Sequence, residues 1–259
     1  MFPVLFSIGN VSIDTYYVAW FVALSIALRW TVRRMTIYGI DDDEGRRVIA
    51  WGFLGMLFGA RAIEYVLNFS VYWNDPSLVF DLNRGGLSEN GAILGAMIVT
   101  FVLCRRGGKI SFFNLCEAAI IPAFLAIALG RFLGCFSAGC CVGIQSAFPL
   151  AVHFPYDTPL MTRHATQIYY SLSAVMILVS LVFIEKWSIR RGHGQPPPRP
   201  ILMPLGLIFY SIMRITVDTL RLNYDELLPL NIALAAMIPL EAGWLLNSWN
   251  AFRKKVAAS

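Results

Sequence analysis

Apolar residues along this chain come in long runs rather than in the alternating or one-faced patterns of a soluble fold. Seven stretches have about the length of a membrane helix, roughly 20 mostly apolar residues. They are Thr15–Leu28 with short extensions at both ends, Val48–Leu67, Gly86–Leu103, Phe112–Phe132, Gln167–Ile184, Ile201–Leu220 and Leu230–Ser248. Backbone groups inside lipid must be satisfied within the segment, so these stretches are predicted to be helices; ten-residue alternating strands are absent. Polar punctuation separates them. Asp41–Glu44 offers a cap and helix-start acids before the second, and Gln195–Pro200 (QPPPRP) reads as a short stiff linker before the sixth. The expectation is an all-α integral membrane protein with about seven transmembrane helices, forming one polytopic domain over 1–259.

Composition sharpens that reading. Of 259 residues, 57% are hydrophobic and only 14% charged, against roughly 25% charged in a soluble domain. Mean hydropathy is +0.62. So few charges cannot cover a soluble surface, which argues against a soluble globule, a disordered chain and a nucleic-acid binder. The net charge of +5 matters through its placement. Arg33, Arg34, Arg46, Arg47, Arg105, Arg106, Lys109, Lys186, Arg190, Arg191, Arg199, Arg253, Lys254 and Lys255 all fall on one set of alternate connections. Only Arg84, Arg163 and Arg221 fall on the other set. By the positive-inside bias, the N-terminus is expected outside and the C-terminus in the cytoplasm of a bacterial inner membrane. Met1–Asp14 has neither a basic n-region nor a small-residue cleavage site, so no removable signal peptide is expected.

Ionisable residues within a span are costly and usually face the bundle interior. Arg214, Asp218 and Arg221 stand four, three and seven apart, on one helix face. Asp218 neutralises one arginine and leaves a positive surplus suited to an anionic ligand; an ion pair within the bundle is the structural alternative. Arg61 and Glu64 balance each other and read as a structural pair. Gly85–Gly95 (GGLSENGAILG) opens the third helix, with Ser88 as its cap and Glu89 and Asn90 at the outer membrane edge. Its glycines admit either a lipid headgroup or a neighbouring helix.

Gly130–Gly143 (GRFLGCFSAGCCVG) carries Arg131, four glycines and three of the five cysteines. The spacing C-x4-C-C is not a paired C-x2-C zinc pattern, and His153 and His164 have no supporting partner, so no metal and no cofactor are expected. Packing thiols, a disulfide from Cys135 to Cys140 or Cys141, and a reactive thiol all remain open. Arg163–Tyr170 (RHATQIYY) places Arg163, His164, Gln167 and Tyr169 or Tyr170 at the outer interface. His164 is either a general base or a solvated interfacial histidine. Tyr16 and Tyr17 open the first helix, where interface anchoring is the plain reading.

The order of these motifs resembles the prolipoprotein diacylglyceryl transferase family, integral enzymes that lipidate bacterial preprolipoproteins. The resemblance runs from about Val4 to Trp244. Phe6–Gly9 (FSIG) with Tyr16, and Gly52–Arg61 (GFLGMLFGAR), are similar to its first two segments. Gly85–Gly91 is similar to GG-x-S-x-H-G, with Asn90 at the His position. Gly130–Gly143 follows G-R-x-G-N-F-x-N-G-E-x-x-G in outline. Cys135, Ala138 and Cys140 replace Asn, Asn and Glu, and there is one extra residue between Arg131 and Gly134. Arg163–Tyr169 is similar to R-H-P-[ST]-Q-L-Y, with Ala165 for Pro, and Arg214–Arg221 to R-x3-E-x2-R. The resemblance implies transfer of a diacylglyceryl group from phosphatidylglycerol, or another anionic phospholipid, to a thiol of a preprolipoprotein or to another nucleophile. It implies Arg131, Arg214, Asp218, Arg221, Gly143, Tyr16, Arg163 and Gln167 as substrate-binding residues. Asn90 is no general base, so a base must lie elsewhere, at His164, Glu89 or a thiolate among Cys135, Cys140 and Cys141; the catalytic candidates are His164, Cys135, Glu89 and Asn90. A thiol-dependent lipid-modifying enzyme using Cys135, Cys140 and Cys141, and a non-catalytic lipid-binding protein, stand as alternatives.

Overall fold

The computed structural model describes residues 4–8, 11–79, 88–155, 157–158 and 161–258. In chain order it has β1 (Val4–Ile8), β2 (Val11–Asp14), α1 (Thr15–Met35), α2 (Asp42–Leu67), α3 (Phe69–Asn74), α4 (Glu89–Gly107) and α5 (Phe112–Leu129). A π-helical turn (Gly130–Cys135) joins α5 to α6 (Phe136–Ala138), and β3 (Ala151–Val152), β4 (Arg163–His164), α7 (Thr166–Arg191), α8 (Leu202–Asp218) and α9 (Tyr224–Ala258) follow. The chain falls into two compact units, one made of 1–37 and 116–259, the other of 38–115. Gly9, Arg84 and Gly85–Leu87 of the sequence motifs, and the Glu89 side chain, lie outside the described residues.

Every predicted apolar stretch falls on a helix. Five helices among the described residues are long and apolar enough to cross a membrane: Thr15–Tyr38, Asp42–Leu67, Phe112–Ala138, Thr166–Arg191 and Tyr224–Ala257. The other two expected spans depart from the sequence reading. α8 is shorter, at 17 residues, and α4 begins with Glu89 and runs on through Arg105, Arg106 and Gly107. Large apolar side chains point outward, among them Phe58 (76% exposed), Phe183 (70%) and Leu240 (68%), as lipid-facing surfaces do. The β strands form only short two-stranded ribbons, β1 against β2 and β3 against β4.

In the 38–115 unit, Asp41 caps α2 by accepting from the Glu44 N–H, and Ser88 caps α4 by accepting from the Gly91 N–H. α2 and α4 cross through a small-residue seam. A Cβ on Gly55 would lie 2.6 Å from Val99 Cγ2 and 2.7 Å from the Gly95 carbonyl, and Gly59 lies against Gly91. The glycines of both motifs therefore serve helix packing. Arg61 donates to the Leu78 carbonyl and lies 5.5 Å from the Tyr72 ring centroid, while Glu64 accepts from Asn68.

The larger unit has a core of Ile121, Phe124 and Ala128 from α5, Tyr170, Ala174 and Leu181 from α7, and Leu202, Met213 and Val217 from α8. Where α1, α5 and α7 meet, Arg34 is not a solvated loop charge but is buried. Its Nη1 and Nη2 hold the two Glu185 carboxylate oxygens at 2.6 and 2.7 Å, and its Nε and Nη2 donate to the Ala118 and Glu117 carbonyls. Glu117 in turn accepts the Leu202 and Met203 N–H groups at 3.2 and 2.5 Å, satisfying donors at the start of α8.

Candidate active site

Arg131 sits in the π-helical turn that continues α5. The turn has a bond from the Phe136 N–H to the Arg131 carbonyl, five residues back, and such a turn absorbs one residue beyond α-helical register. This is where the signature holds its extra residue. In this turn Arg131 is buried, 4% exposed, and shares the Tyr170 ring with Arg214. α1 packs on this turn. Trp20 lies against Gly130 and Gly134, and the Tyr16 carbonyl is 3.4 Å from where a Gly134 Cβ would be.

The last turn of α8 supplies the rest of the charge. Asp218 is fully buried; it ion-pairs with Arg214 Nε at 3.3 Å and Arg221 Nη1 at 3.6 Å, and it accepts the Tyr170 hydroxyl. Tyr170 links the two sides of the site. The Arg131 guanidinium is 4.8 Å and that of Arg214 5.6 Å from its ring centroid, within the range of cation–π attraction. Two buried arginines thus flank the Asp218 carboxylate, and the third meets Arg214 across the Tyr170 ring. The spacing on α8 was legible; the role of Tyr170, given in the sequence only as one of two adjacent tyrosines, was not.

Beyond α6, Gly139 takes the left-handed conformation and the Cys140 N–H bonds back to the Cys135 carbonyl at 3.1 Å. Cys141 also has positive φ, +61°. Gln167 donates to the Cys140 carbonyl and Thr166 to that of Cys141, so the start of α7 clamps this loop. The sulfurs of Cys135, Cys140 and Cys141 lie within 4.8 Å of one another, and all five cysteines are free. Arg131 Nη1 is 3.5 Å from Cys141 Sγ and 4.0 Å from Cys135 Sγ. Hydrogen bonds from Cys135 and Cys140, and then the charges of Arg131 and Arg221, pull the Cys141 thiol well below its ordinary pKa against the effect of burial. Cys140, which donates, is pushed up.

The remaining candidates divide. Gly143 lies between β4 and the chain after α8. Its N–H donates to the His164 carbonyl at 3.0 Å, and a Cβ there would come within 2.6 Å of His164 and 2.8 Å of the Leu220 carbonyl. Through this ladder Gly143 pairs with Arg221. His164 Nδ1 is 3.1 Å from the Tyr169 hydroxyl. Arg163 Nε donates to both Asp157 oxygens at 2.9 Å, closing the loop before α7. His153 Nδ1 contacts the Met161 carbonyl and takes no part in the thiol cluster. Tyr16 lies edge-on to Tyr17. Asn90 is exposed in the first turn of α4, in the other unit.

Three of the motifs, Gly130–Gly143, Arg163–Tyr170 and Arg214–Arg221, thus come together in one unit. The sequence profile described as prolipoprotein diacylglyceryl transferase matches residues 3–247. The chain belongs to the prolipoprotein diacylglyceryl transferase family. A phosphatidylglycerol–prolipoprotein diacylglyceryl transferase of Azotobacter vinelandii is 28% identical over 87% of this chain and 83% of its own length. Those of Vibrio parahaemolyticus and Pseudomonas fluorescens are 31% and 28% identical, over 85% and 99% of this chain and 78% and 95% of their own lengths.

Proposed function

We propose that this chain moves the diacylglyceryl group of phosphatidylglycerol to the thiol of a preprolipoprotein, or to a related nucleophile, at the outer leaflet of a bacterial inner membrane. One observation carries the reading: Arg131 and Arg214 both lie against the Tyr170 ring, Arg214 and Arg221 both ion-pair with Asp218, and all three arginines are buried. Such a gathering of guanidinium donors suits a phosphodiester headgroup. Planar guanidinium donors bind two phosphate oxygens at once, and they hold the developing charge better as glycerol phosphate leaves than in the ground state. Tyr170 and Asp218 keep the two sides of this clamp aligned. The names and the extent of match of the relatives support the donor and acceptor. The basic residues ending α1, α4 and α7 support a cytoplasmic side at those ends and an external N-terminus.

The test supplies purified protein with labelled phosphatidylglycerol and a lipobox peptide. Glycerol phosphate is released, the peptide gains the diacylglyceryl mass, and Arg214→Ala lowers turnover by roughly 10²–10³-fold. Tight binding of the lipid with no release under any thiol acceptor overturns the reading in favour of a lipid-binding protein.

A further inference from the structure

We propose that Cys135, Cys140 and Cys141 form a zinc site with three thiolate ligands and one open position, and that this position takes the acceptor thiol and activates it. The inference rests on the transferase reading above and adds a metal to it. The geometry is specific. Neighbouring residues in an extended or helical chain turn their side chains apart, yet the adjacent Cys140 and Cys141 both reach Cys135, and all three sulfurs lie within 4.8 Å. They do so because Cys141 adopts φ +61°, one of two non-glycine positive φ values among the described residues. Thr166, Gln167 and the Cys135 carbonyl pin the backbone in that shape. A left-handed cysteine held by a bond to its own carbonyl and by two to the residue before it is strain kept for a purpose. Zinc–sulfur bonds of about 2.3 Å in a tetrahedron put sulfurs roughly 3.8 Å apart, a small closure from the observed spacing.

Three thiolates select a soft or borderline cation. No other Cys, His, Asp or Glu joins this group among the described residues, and three protein ligands with a vacant fourth position is the arrangement of catalytic rather than structural zinc. Zinc with three thiolates carries one negative charge, and Arg131, 3.5 Å from Cys141 Sγ, is placed to donate to a ligand sulfur and offset that charge. The same arginine belongs to the phosphate clamp, so the vacant position stands beside the donor headgroup.

The site answers a chemical need. The acceptor attacks as a thiolate, and a free thiol is mostly protonated at neutral pH. A thiol that coordinates zinc is deprotonated outright. The acceptor R–SH binds at the vacant position and its proton passes to water. Its sulfur attacks the glycerol carbon that bears the phosphate ester, forming the S–C bond. The C–O bond breaks with its electron pair on the phosphate oxygen, and glycerol phosphate leaves as an anion between Arg131 and Arg214. The neutral thioether is a weaker ligand and departs. No oxidant or reductant enters.

The experiment uses full-length reduced protein in lipid nanodiscs. Metal analysis after exposure to zinc is expected to give one equivalent per chain. Cys135→Ser and Cys140→Ser each weaken binding by upward of about 10-fold, whereas Cys104→Ser does not. Retained thermal stabilisation by phosphatidylglycerol verifies that the serine variants fold. In the cobalt-substituted protein, a lipobox peptide intensifies the thiolate-to-cobalt charge-transfer band, and its serine analogue leaves the band unchanged. Chelation suppresses transfer and zinc restores it. Three free thiols that take up no metal, a disulfide among them in the active protein, a cobalt spectrum indifferent to the peptide thiol, or full transfer by metal-free protein would each overturn the site while leaving the transferase reading intact. Zinc bound and ligated by the peptide, with no glycerol phosphate released, would instead uphold the metal site and overturn the transferase reading.

Discussion

The larger unit buries two arginine clusters, and they are built on opposite principles. Around Arg34 every charge is answered within the fold: both Glu185 oxygens meet the guanidinium, two backbone carbonyls take further donors, and Glu117 is spent on the first N–H groups of α8. Around Asp218, Arg214 and Arg221 share one carboxylate and one tyrosine hydroxyl, and Arg131 joins them through the Tyr170 ring. Buried charge is tolerated when it is paired and hydrogen bonded. The first cluster meets that condition within helices α1, α5 and α7; the second is the one that the proposed function assigns to the lipid phosphate. A closed cluster fixes helix positions, and an arginine-rich one suits a ligand.

The largest expected effect comes from breaking the closed cluster. Arg34→Ala leaves Glu185 buried without its bidentate partner and is expected to cost about 3–5 kcal/mol of stability, read by denaturant unfolding in detergent. Transfer per folded molecule should stay near wild type, because Arg34 is bound to α5 and α7 rather than to Tyr170 or Asp218. Replacing the pair together, Arg34→Met with Glu185→Leu, should recover most of the loss, as apolar substitutes for buried pairs do. A double variant as unstable as the single one would mean that the carbonyl bonds to Glu117 and Ala118, rather than the ion pair, hold the helices.

That contrast also marks how far the sequence could be read. Arg214 and Asp218 were legible because a helix puts residues four apart on one face; Arg221, expected on the same face, lies past the end of α8 in a bridge with Gly143 and reaches Asp218 from there. The Arg34–Glu185 pair was not: its members are 151 residues apart, and Arg34 sits in a run of basic residues that looks like a solvated inner loop. Glu117 was hidden for the same reason, since its partners are backbone N–H groups 85 and 86 residues on. The extra residue after Arg131 was visible, but its consequence depended on backbone geometry; a π-helical turn, which leaves no mark in the pattern of apolar positions, absorbs it. The helices themselves were legible throughout, apart from the shortness of α8 and the polar ends of α4. The three cysteines were visible as a cluster in sequence, but only the left-handed Cys141 brings their sulfurs together.

A second way to sharpen the comparison is to supply the anion. Phosphatidylglycerol that binds only the folded chain at 100 times its dissociation constant stabilises by about 2.7 kcal/mol. Thermal unfolding across lipid compositions should show that rise for wild type and lose it for Arg214→Ala. The uncharged-headgroup analogue should give no rise in either. The Arg34→Met, Glu185→Leu variant should keep the full lipid response, because its cluster has no charge left to satisfy. A lipid response that followed Arg34 instead of Arg214 would reverse the assignment of the two clusters.

The smallest effect tests how the open cluster is aligned. Tyr170→Phe keeps the ring beneath Arg131 and Arg214 and removes only the hydroxyl that donates to Asp218. Asp218 retains its two arginine contacts, so the loss is one hydrogen bond of about 1 kcal/mol, or roughly five-fold in an equilibrium. With that tether gone, Asp218 is free to draw Arg214 and Arg221 more tightly to itself, which withdraws donors from the phosphate. The expected signature is a KM for phosphatidylglycerol raised about five-fold with kcat near wild type. Tyr170→Leu removes the ring as well; Arg131 and Arg214 then lose the surface that holds them side by side, and kcat should fall with it. If phenylalanine and leucine behaved alike, the hydroxyl would be the whole of what Tyr170 contributes, and the ring between the two arginines would be filler rather than part of the clamp.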